Sequence, residues 1–162
     1  MSLQYIIDAY NLINHPRFKP GAKVHSNIQN SLAEFIKLNR LSGSPKNRVI
    51  LVFDGYPPAR GQVPEEDGLL CLFSRMIEAD ELIKRLVEES GNPGNIVVVS
   101  DDKGVQMAVR FLKARVCPVE EFICGSKIGR ALDSLRREKE EKTIPYSQIQ
   151  AINAELKKKW LE

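Results

Sequence analysis

The sequence lacks any long hydrophobic run, and no stretch approaches the roughly 20 apolar residues that a membrane-spanning helix requires. Its N-terminal segment, MSLQYIIDAY, also lacks the basic region and the long apolar region of a signal peptide. We therefore expect a cytoplasmic protein that does not bind membranes.

Cysteine and histidine are also scarce, with three cysteines and two histidines in 162 residues. An odd number of cysteines without a C-x-x-C motif argues against a disulfide framework and against a structural zinc site. We interpret Cys71 and Cys117 as core residues because both lie in apolar runs. We interpret His15 and His25 as loop residues.

Several motifs that mark common enzyme classes are missing. The sequence contains neither G-x-x-x-x-G-K-[ST] nor G-x-G-x-x-G, which argues against a glycine-rich loop that holds nucleotide phosphates. It also lacks G-x-S-x-G, the motif around the nucleophilic serine of α/β-hydrolases. Neither a nucleotide-binding loop nor serine-hydrolase chemistry is therefore supported.

The residues that are present have the composition of an ordinary globular domain, with 43% hydrophobic and 28% charged residues. A chain of 162 residues fits one domain with a buried core. The formal net charge of +3 permits a polyanionic partner without requiring one.

Three apolar runs predict buried β-strands at residues 5–7, 49–53 and 96–99. None of them alternates with polar residues, which is typical of strands covered on both faces in a parallel sheet. Residues 69–73 and 115–118 are weaker strand candidates.

Helical patterns fill the intervals between these strands. We predict helices at residues 26–41, 79–89, 103–113, 126–142 and 147–160. In the helix at 103–113 we expect Met107 and Phe111 to point inward. The alternation of strands and helices predicts an α/β protein, a three-layer α/β/α sandwich with a mainly parallel central sheet. We assign residues 1–125 to this domain and residues 126–162 to a C-terminal helical extension packed on it.

Acidic residues follow the predicted strands, at the edge where parallel sheets bind their ligands. They are Asp8, Asp54 and the pair Asp101-Asp102, and a further group that opens a helix is Glu78, Asp80 and Glu81. Each acid has a structural explanation by itself, as a helix cap, a partner of the helix dipole or part of an Asp-Gly turn. Carboxylates crowded at one edge nevertheless repel each other and need a cation, for which a hard divalent ion is the natural choice.

Two other classes of protein also place acids at strand ends. A receiver-type phosphotransfer domain usually has an acidic pair after its first strand, and a haloacid-dehalogenase phosphatase has Asp-x-Asp there. In this sequence Asp8 is followed by Ala9, and Tyr10 occupies the second acidic position of Asp-x-Asp. A metal site is therefore better supported than either alternative.

Four segments in order along the chain resemble the NYN domains of the PIN-like nuclease superfamily, and most closely the YacP-like group. Residues 8–13 (DAYNLI) resemble the opening motif D-x-x-N-[VLI]-I, and residues 52–55 (VFDG) resemble the motif of the second strand. Residues 78–83 (EADELI) resemble the helix start A-D-x-x-I. Residues 99–102 (VSDD) with Gln106 resemble the strand end [TS]-x-D with its downstream Gln.

The resemblance implies a PIN-like fold and a metal-dependent endoribonuclease that uses Mg²⁺ or Mn²⁺. The catalytic residues that it implies are Asp8, Asn11, Asp80 and Asp102. The metal-binding residues that it implies are Asp8, Asp54, Asp80, Asp101 and Asp102, with Ser100 bracing the site through a hydrogen bond. We expect the carboxylates of Asp8, Asp80 and Asp102 to converge to metal-bridging distance.

Cations beyond the acidic cluster are needed to hold RNA phosphates. The candidates are Arg17, Lys19, Arg60, Arg75 and Lys103, and the candidates for stacking on bases are Tyr10, Tyr56 and Phe18. An alternative function is that of a catalytically weak PIN-like module that binds RNA or a protein partner. We also expect that the C-terminal helices can mediate a homodimer or bind a protein partner.

Overall fold

The computed structural model describes residues 2–20, 27–60 and 63–125. The predicted helices at 126–142 and 147–160, the extension at 126–162 and the contacts expected through it lie outside the described residues, as does His25. Within the described part of the chain, no helix is long and apolar enough to cross a membrane.

Within the same three segments, five strands form one sheet in the order β3-β2-β1-β4-β5. The strands are β1 (Gln4–Asp8), β2 (Arg48–Phe53), β3 (Leu69–Phe73), β4 (Ile96–Val99) and β5 (Arg115–Cys117). Every neighbouring pair is parallel. The predicted strands are therefore confirmed, including the two weaker candidates. Their carboxyl ends lie along one side of the sheet, which we call the carboxyl edge.

The strand order reverses at β1, because β2 lies on one side of it and β4 on the other. Such a reversal opens a crevice outside the carboxyl ends of the strands, where α/β proteins bind ligands. Ile7 pairs with Val99, so Asp8 and Ser100 leave the sheet side by side at this crevice. The topology thus places the first acidic motif next to the last one.

Helices cover both faces of the sheet. They are α1 (Ala9–Ile13), α2 (Ile28–Leu38), α3 (Ala79–Glu88) and α4 (Lys103–Phe111), and residues 119–125 are also helical. Successive strand residues point to opposite faces. Ile6 therefore belongs to the apolar cluster that contains α3 and α4, whereas Ile7 belongs to the cluster that contains α1 and α2. The predicted three-layer α/β sandwich is confirmed, although α1 and the helical residues 119–125 were not predicted.

One prediction about α4 is wrong. Met107 and Phe111 do not face the core, since 70% and 88% of their surfaces are exposed. The buried residues of α4 are Val105 and Val109, one helical turn apart. Each exposed residue follows a buried valine by two positions, about 200° around the helix, and so points to the opposite side.

Candidate active site

Asp8 is the buried acid at the centre of the carboxyl edge. It is the last residue of β1, and only 4% of its surface is exposed. Burial raises the pKa of Asp8 to about 6, and the negative charge of Asp80 adds to this increase. Hydrogen bonds from Asn11 and from the backbone of Tyr10 act in the opposite direction and favour the charged form.

Asn11 connects the ends of β1 and β4. It lies three residues after Asp8 in α1, and its Nδ2 donates a hydrogen bond of 2.7 Å to Oδ2 of Asp8. Its Oδ1 accepts a hydrogen bond of 3.1 Å from the backbone N–H of Asp101. The amide therefore orients the Asp8 carboxylate and holds the turn after β4 against α1.

Asp80 interacts electrostatically with the other acids of the carboxyl edge. It lies in the first turn of α3, a favourable position for a carboxylate because of the helix dipole. Its pKa is nevertheless raised, first by burial and then by the charge of Asp102, with smaller increases from Glu78 and Asp54. Lys84 opposes these effects. Acids from the ends of β1, β2 and β4 thus share an electrostatic field with Asp80.

Asp102 and Asp101 each also have a structural role. Oδ1 of Asp102 accepts a hydrogen bond of 2.9 Å from the backbone N–H of Val105 and caps α4. Oδ1 of Asp101 accepts one of 2.9 Å from the backbone N–H of Val119, where the next helical residues begin. Each bond engages one carboxylate oxygen, and it holds Asp102 to the start of α4 and Asp101 to the start of the helical residues 119–125.

Asp54 is held by Ser74, a residue that our reading of the sequence missed. Ser74 is buried, and its Oγ donates a hydrogen bond of 2.9 Å to Oδ1 of Asp54. The same Oγ accepts a hydrogen bond of 3.0 Å from the backbone N–H of Gly55. The register of the sheet explains this contact: Phe53 pairs with Phe73, so the residues that follow them lie side by side.

Ser100 and Gln106 support the turn that carries Asp102. Oγ of the fully buried Ser100 accepts a hydrogen bond of 3.2 Å from the backbone N–H of Asp102. Nε2 of Gln106 donates a hydrogen bond of 2.7 Å to the backbone carbonyl of Ser100. The two residues thus hold the path of the chain from β4 into α4.

The five candidate RNA-binding cations have different surroundings. Arg17 already has partners: it forms an ion pair of 3.5 Å with Glu120 and donates a hydrogen bond to Sγ of Cys124. Arg75 lies beside the Asp54 turn, because its backbone N–H donates a hydrogen bond of 2.7 Å to the carbonyl of Gly55. All five are exposed, including the remaining three, which are Lys19, Arg60 and Lys103.

The acids differ in one respect from the expected metal site. Among the described residues, no group of three or more His, Cys, Asp and Glu side chains is arranged to hold a metal ion. The expected convergence of Asp8, Asp80 and Asp102 is therefore not found. Hydrogen bonds give a physical reason. Asn11 binds the carboxylate of Asp8, and the backbone N–H of Val105 binds the carboxylate of Asp102 at the start of α4.

The chemistry of the donor set nevertheless fits Mg²⁺ or Mn²⁺. The acids present oxygen ligands only, and Mg²⁺ commonly binds through one or two carboxylates while it keeps several waters. Burial, and to a smaller extent the charge of neighbouring acids, raises the pKa values of Asp8 and Asp80, so each carboxylate is costly to charge. A divalent cation would remove this cost.

Comparison with known families places the chain in a nuclease-type class. The family model for the YacP-like NYN domain matches residues 5–162, and the chain belongs to this family. A search of curated proteins gave no significant match.

Two solved structures are similar to the chain. One is the crystal structure of Rae1 (YacP) from Bacillus subtilis, with a TM-score of 0.58 and 23% identity over 99% of this chain and 92% of that one. The other is a mutant of the same protein, with a TM-score of 0.58 and 23% identity over 91% of this chain and 89% of that one. At this identity the likeness shows the fold.

Proposed function

We propose that this protein is a metal-dependent endoribonuclease of the cytoplasm that hydrolyses RNA phosphodiester bonds with Mg²⁺ or Mn²⁺. The observation that carries the proposal is the electrostatic coupling of Asp80 to Asp8, Asp54 and Asp102 at the carboxyl edge. Surplus negative charge in a crevice would repel RNA unless a cation bound there first. Membership in a nuclease-type family gives independent support.

The acids divide into ligands and supporting groups. Asp8 and Asp80 would bind the metal directly, the second oxygen of Asp102 would reach it through a metal-bound water, and Asp54 would add charge from the end of β2. When bound, the metal would neutralise the scissile phosphate, lower the pKa of a bound water and stabilise the departing oxygen. Asp101 contributes mainly to the fold, because the Val119 N–H occupies one of its oxygens.

Asn11 and the surrounding cations position the reacting groups. The Asn11 amide holds the Asp8 carboxylate in one orientation, so that Asp8 would present a fixed ligand to the metal. Arg75, whose backbone bonds the turn after Asp54, and Lys103, next to Asp102, would contact the phosphates that flank the cleavage point. Lys19 and Arg60 would extend this contact, and Arg17 could do so only by giving up its ion pair with Glu120.

A cleavage assay with a matched control tests the proposal. Purified protein is incubated with mixed RNA and Mn²⁺ or Mg²⁺, beside the Asp80→Asn and Asp67→Asn variants. Asp67 precedes β3 and is exposed at the opposite edge of the sheet, so its variant makes the same chemical change away from the site.

We expect Asp80→Asn to lower the cleavage rate by about 100-fold or more, because metal-ion stabilisation is worth several kcal/mol. Asp67→Asn should cleave at the wild-type rate. Equal cleavage by all three proteins would refute the assigned site. RNA binding without cleavage by the wild type would instead support the catalytically weak binding module.

A further inference from the structure

A pocket of about 370 Å³ lies beside the acids, at the end of α1. It is lined by Tyr10, Asn11, Asn14, His15, Pro16 and Asp101. Asn11 and Asp101 belong to both the pocket and the acidic crevice, since Asn11 bonds Asp8 with one end of its amide and Asp101 with the other. A larger cavity of about 530 Å³ opens beside Ser44 and Gly68, and none of the candidate acids lines it.

Tyr10 lines this pocket, and its ring is held in place by an aromatic contact. Although 43% of Tyr10 is exposed, its ring makes an edge contact with Phe53 at 6.3 Å and an interplanar angle of 84°. Phe53 is buried and stacks on Phe73 at 5.4 Å, which anchors the contact in the sheet. A ring that is already held in place loses little conformational entropy when a flat ligand stacks on it.

The remaining rim offers groups that recognise the edge of a base. Within the described residues the side-chain amide of Asn14 makes no hydrogen bond, and it supplies both a donor and an acceptor. Nδ1 of His15 accepts a hydrogen bond of 3.2 Å from the backbone N–H of Arg17, so Nε2 carries the hydrogen and is a donor. Amides and ring nitrogens of this kind pair with the hydrogen-bonding edges of unpaired bases.

The charge of the pocket favours a base over a phosphate. Asp101 contributes a carboxylate to the lining, and Asp8 lies on the other side of Asn11. These charges would repel a phosphate but not a neutral nucleobase. The ligand that fits best is therefore flat, uncharged and rich in hydrogen-bonding groups.

We propose that this pocket binds one unpaired nucleobase of the RNA, adjacent to the phosphodiester that is cleaved. Tyr10 stacks on the base, while Asn14 and His15 bind its edge. The inference rests on the proposed ribonuclease function and adds a base-binding pocket to it. A base in a duplex is already paired and stacked, so the pocket binds a base that is unpaired.

Binding measurements test the pocket separately from cleavage. In the otherwise wild-type protein with Ca²⁺, which also binds carboxylate oxygens, anisotropy gives the affinities for fluorescein-labelled hexauridylate and for an abasic hexamer with the same ribose-phosphate backbone, while a gel checks that both stay intact. We expect hexauridylate to bind about tenfold more tightly, the order of magnitude of one base–aromatic stacking contact. Tyr10→Ala should abolish the difference and Tyr10→Phe should retain it.

Phe111→Ala is the matched control, since it removes another exposed aromatic ring near the far end of α4. Its position is eight residues beyond Lys103, about 12 Å along the helix. The tenfold preference should persist in this variant. Asn14→Ala and His15→Ala leave the Tyr10–Phe53 contact in place. Each should change the ratios of the affinities for hexauridylate, hexacytidylate and hexaadenylate by about threefold or more.

The outcomes separate the two proposals. If Tyr10→Ala keeps the preference, or if the rim variants leave these affinity ratios unchanged, the base pocket is wrong while the ribonuclease function stands. If both hexamers bind equally well to the parent protein, the base pocket is again wrong. If neither hexamer binds, RNA is not the ligand and both proposals fall.

Discussion

The side-chain amide of Asn11 donates a hydrogen bond of 2.7 Å to the carboxylate of Asp8, three residues earlier in the chain. The other end of that amide accepts a hydrogen bond from the backbone of Asp101. One neutral side chain therefore orients the buried acid of the site and ties together the ends of β1 and β4.

Asn11→Ala should lower cleavage by about 10- to 100-fold, the range typical of groups that orient a metal ligand. The Asn11 side chain also lowers the pKa of Asp8, so its loss should move the rise of the pH–rate profile to higher pH. Asn39→Ala is a suitable control because its amide bonds the backbone of Phe35, at the end of α2. An unchanged pH profile would show that Asn11 does not act through Asp8.

Metal-free protein should lose stability as the pH rises, partly because of Asp8. Its pKa is about 6 in the folded state, compared with an ordinary value of 3.8. A raised pKa means that this group favours the folded state below about pH 4, and that the contribution disappears as the pH rises through 6. The loss is about 3 kcal/mol in the free energy of unfolding, because each unit of pKa difference corresponds to about 1.4 kcal/mol.

Asp8→Asn should remove most of this pH dependence, because the amide stays neutral. Urea unfolding in EDTA at pH 4 and pH 7.5 measures the effect, and Asp67→Asn should behave like the wild type. Asp80 retains a raised pKa and contributes in the same direction, so some pH dependence remains. A wild-type pH dependence in Asp8→Asn would contradict the assignment of the buried charge.

Mn²⁺ should stabilise the folded protein, since it binds acids that repel each other without it. At a free concentration 100 times Kd the expected gain is about 2.7 kcal/mol. The increase in Tm should be absent or strongly reduced in Asp8→Asn and Asp80→Asn, and unchanged in Asp67→Asn. Calorimetric titration should also show tighter binding at pH 7 than at pH 5, because the metal competes with the proton on Asp8.

Ser74→Ala should destabilise the turn that carries Asp54. The change removes the hydrogen bond from Oγ to Asp54 and leaves the Gly55 N–H without its acceptor. The expected cost in the free energy of unfolding is about 1–3 kcal/mol. Ser90→Ala is the control, because Oγ of Ser90 accepts a hydrogen bond from the backbone N–H of Asn92 in the loop between α3 and β4. If Ser74→Ala had the same Tm as the wild type, the Ser74 hydrogen bonds would not stabilise this turn.

The inward face of α4 can be tested by stability alone. Val109→Ala should cost about 2 kcal/mol, because Val109 is fully buried. Met107→Gln and Phe111→Ser should change the free energy of unfolding by less than about 0.5 kcal/mol, as is usual at exposed positions. A large loss in either exposed variant would show that this side of α4 is covered.

Much of the fold could be predicted because the strands have a strong local signal. The run at 49–53 and the run at 96–99 are uninterrupted and rich in β-branched residues, a pattern that a strand buried on both faces requires. The acids of the site were also visible, since a residue that directly follows a parallel strand must lie at the carboxyl edge. Asp8 and Asp102 could be placed there without knowing which strands are neighbours.

Other features depend on contacts between distant elements. Ser74 reaches Asp54 because β2 and β3 are neighbours, and the Asp101 carboxylate reaches Val119 because the chain returns there after β5. Composition and spacing carry no record of such pairings, so Ser74 was missed.

The sequence by itself determined the buried parallel strands and the acids that follow them, because burial and chain direction act over a few neighbouring residues. Only the tertiary structure decided that Met107 points away from the core and that Asn11 bonds both Asp8 and Asp101. The first depends on the sheet face against which α4 packs, and the second on which strand lies beside β1.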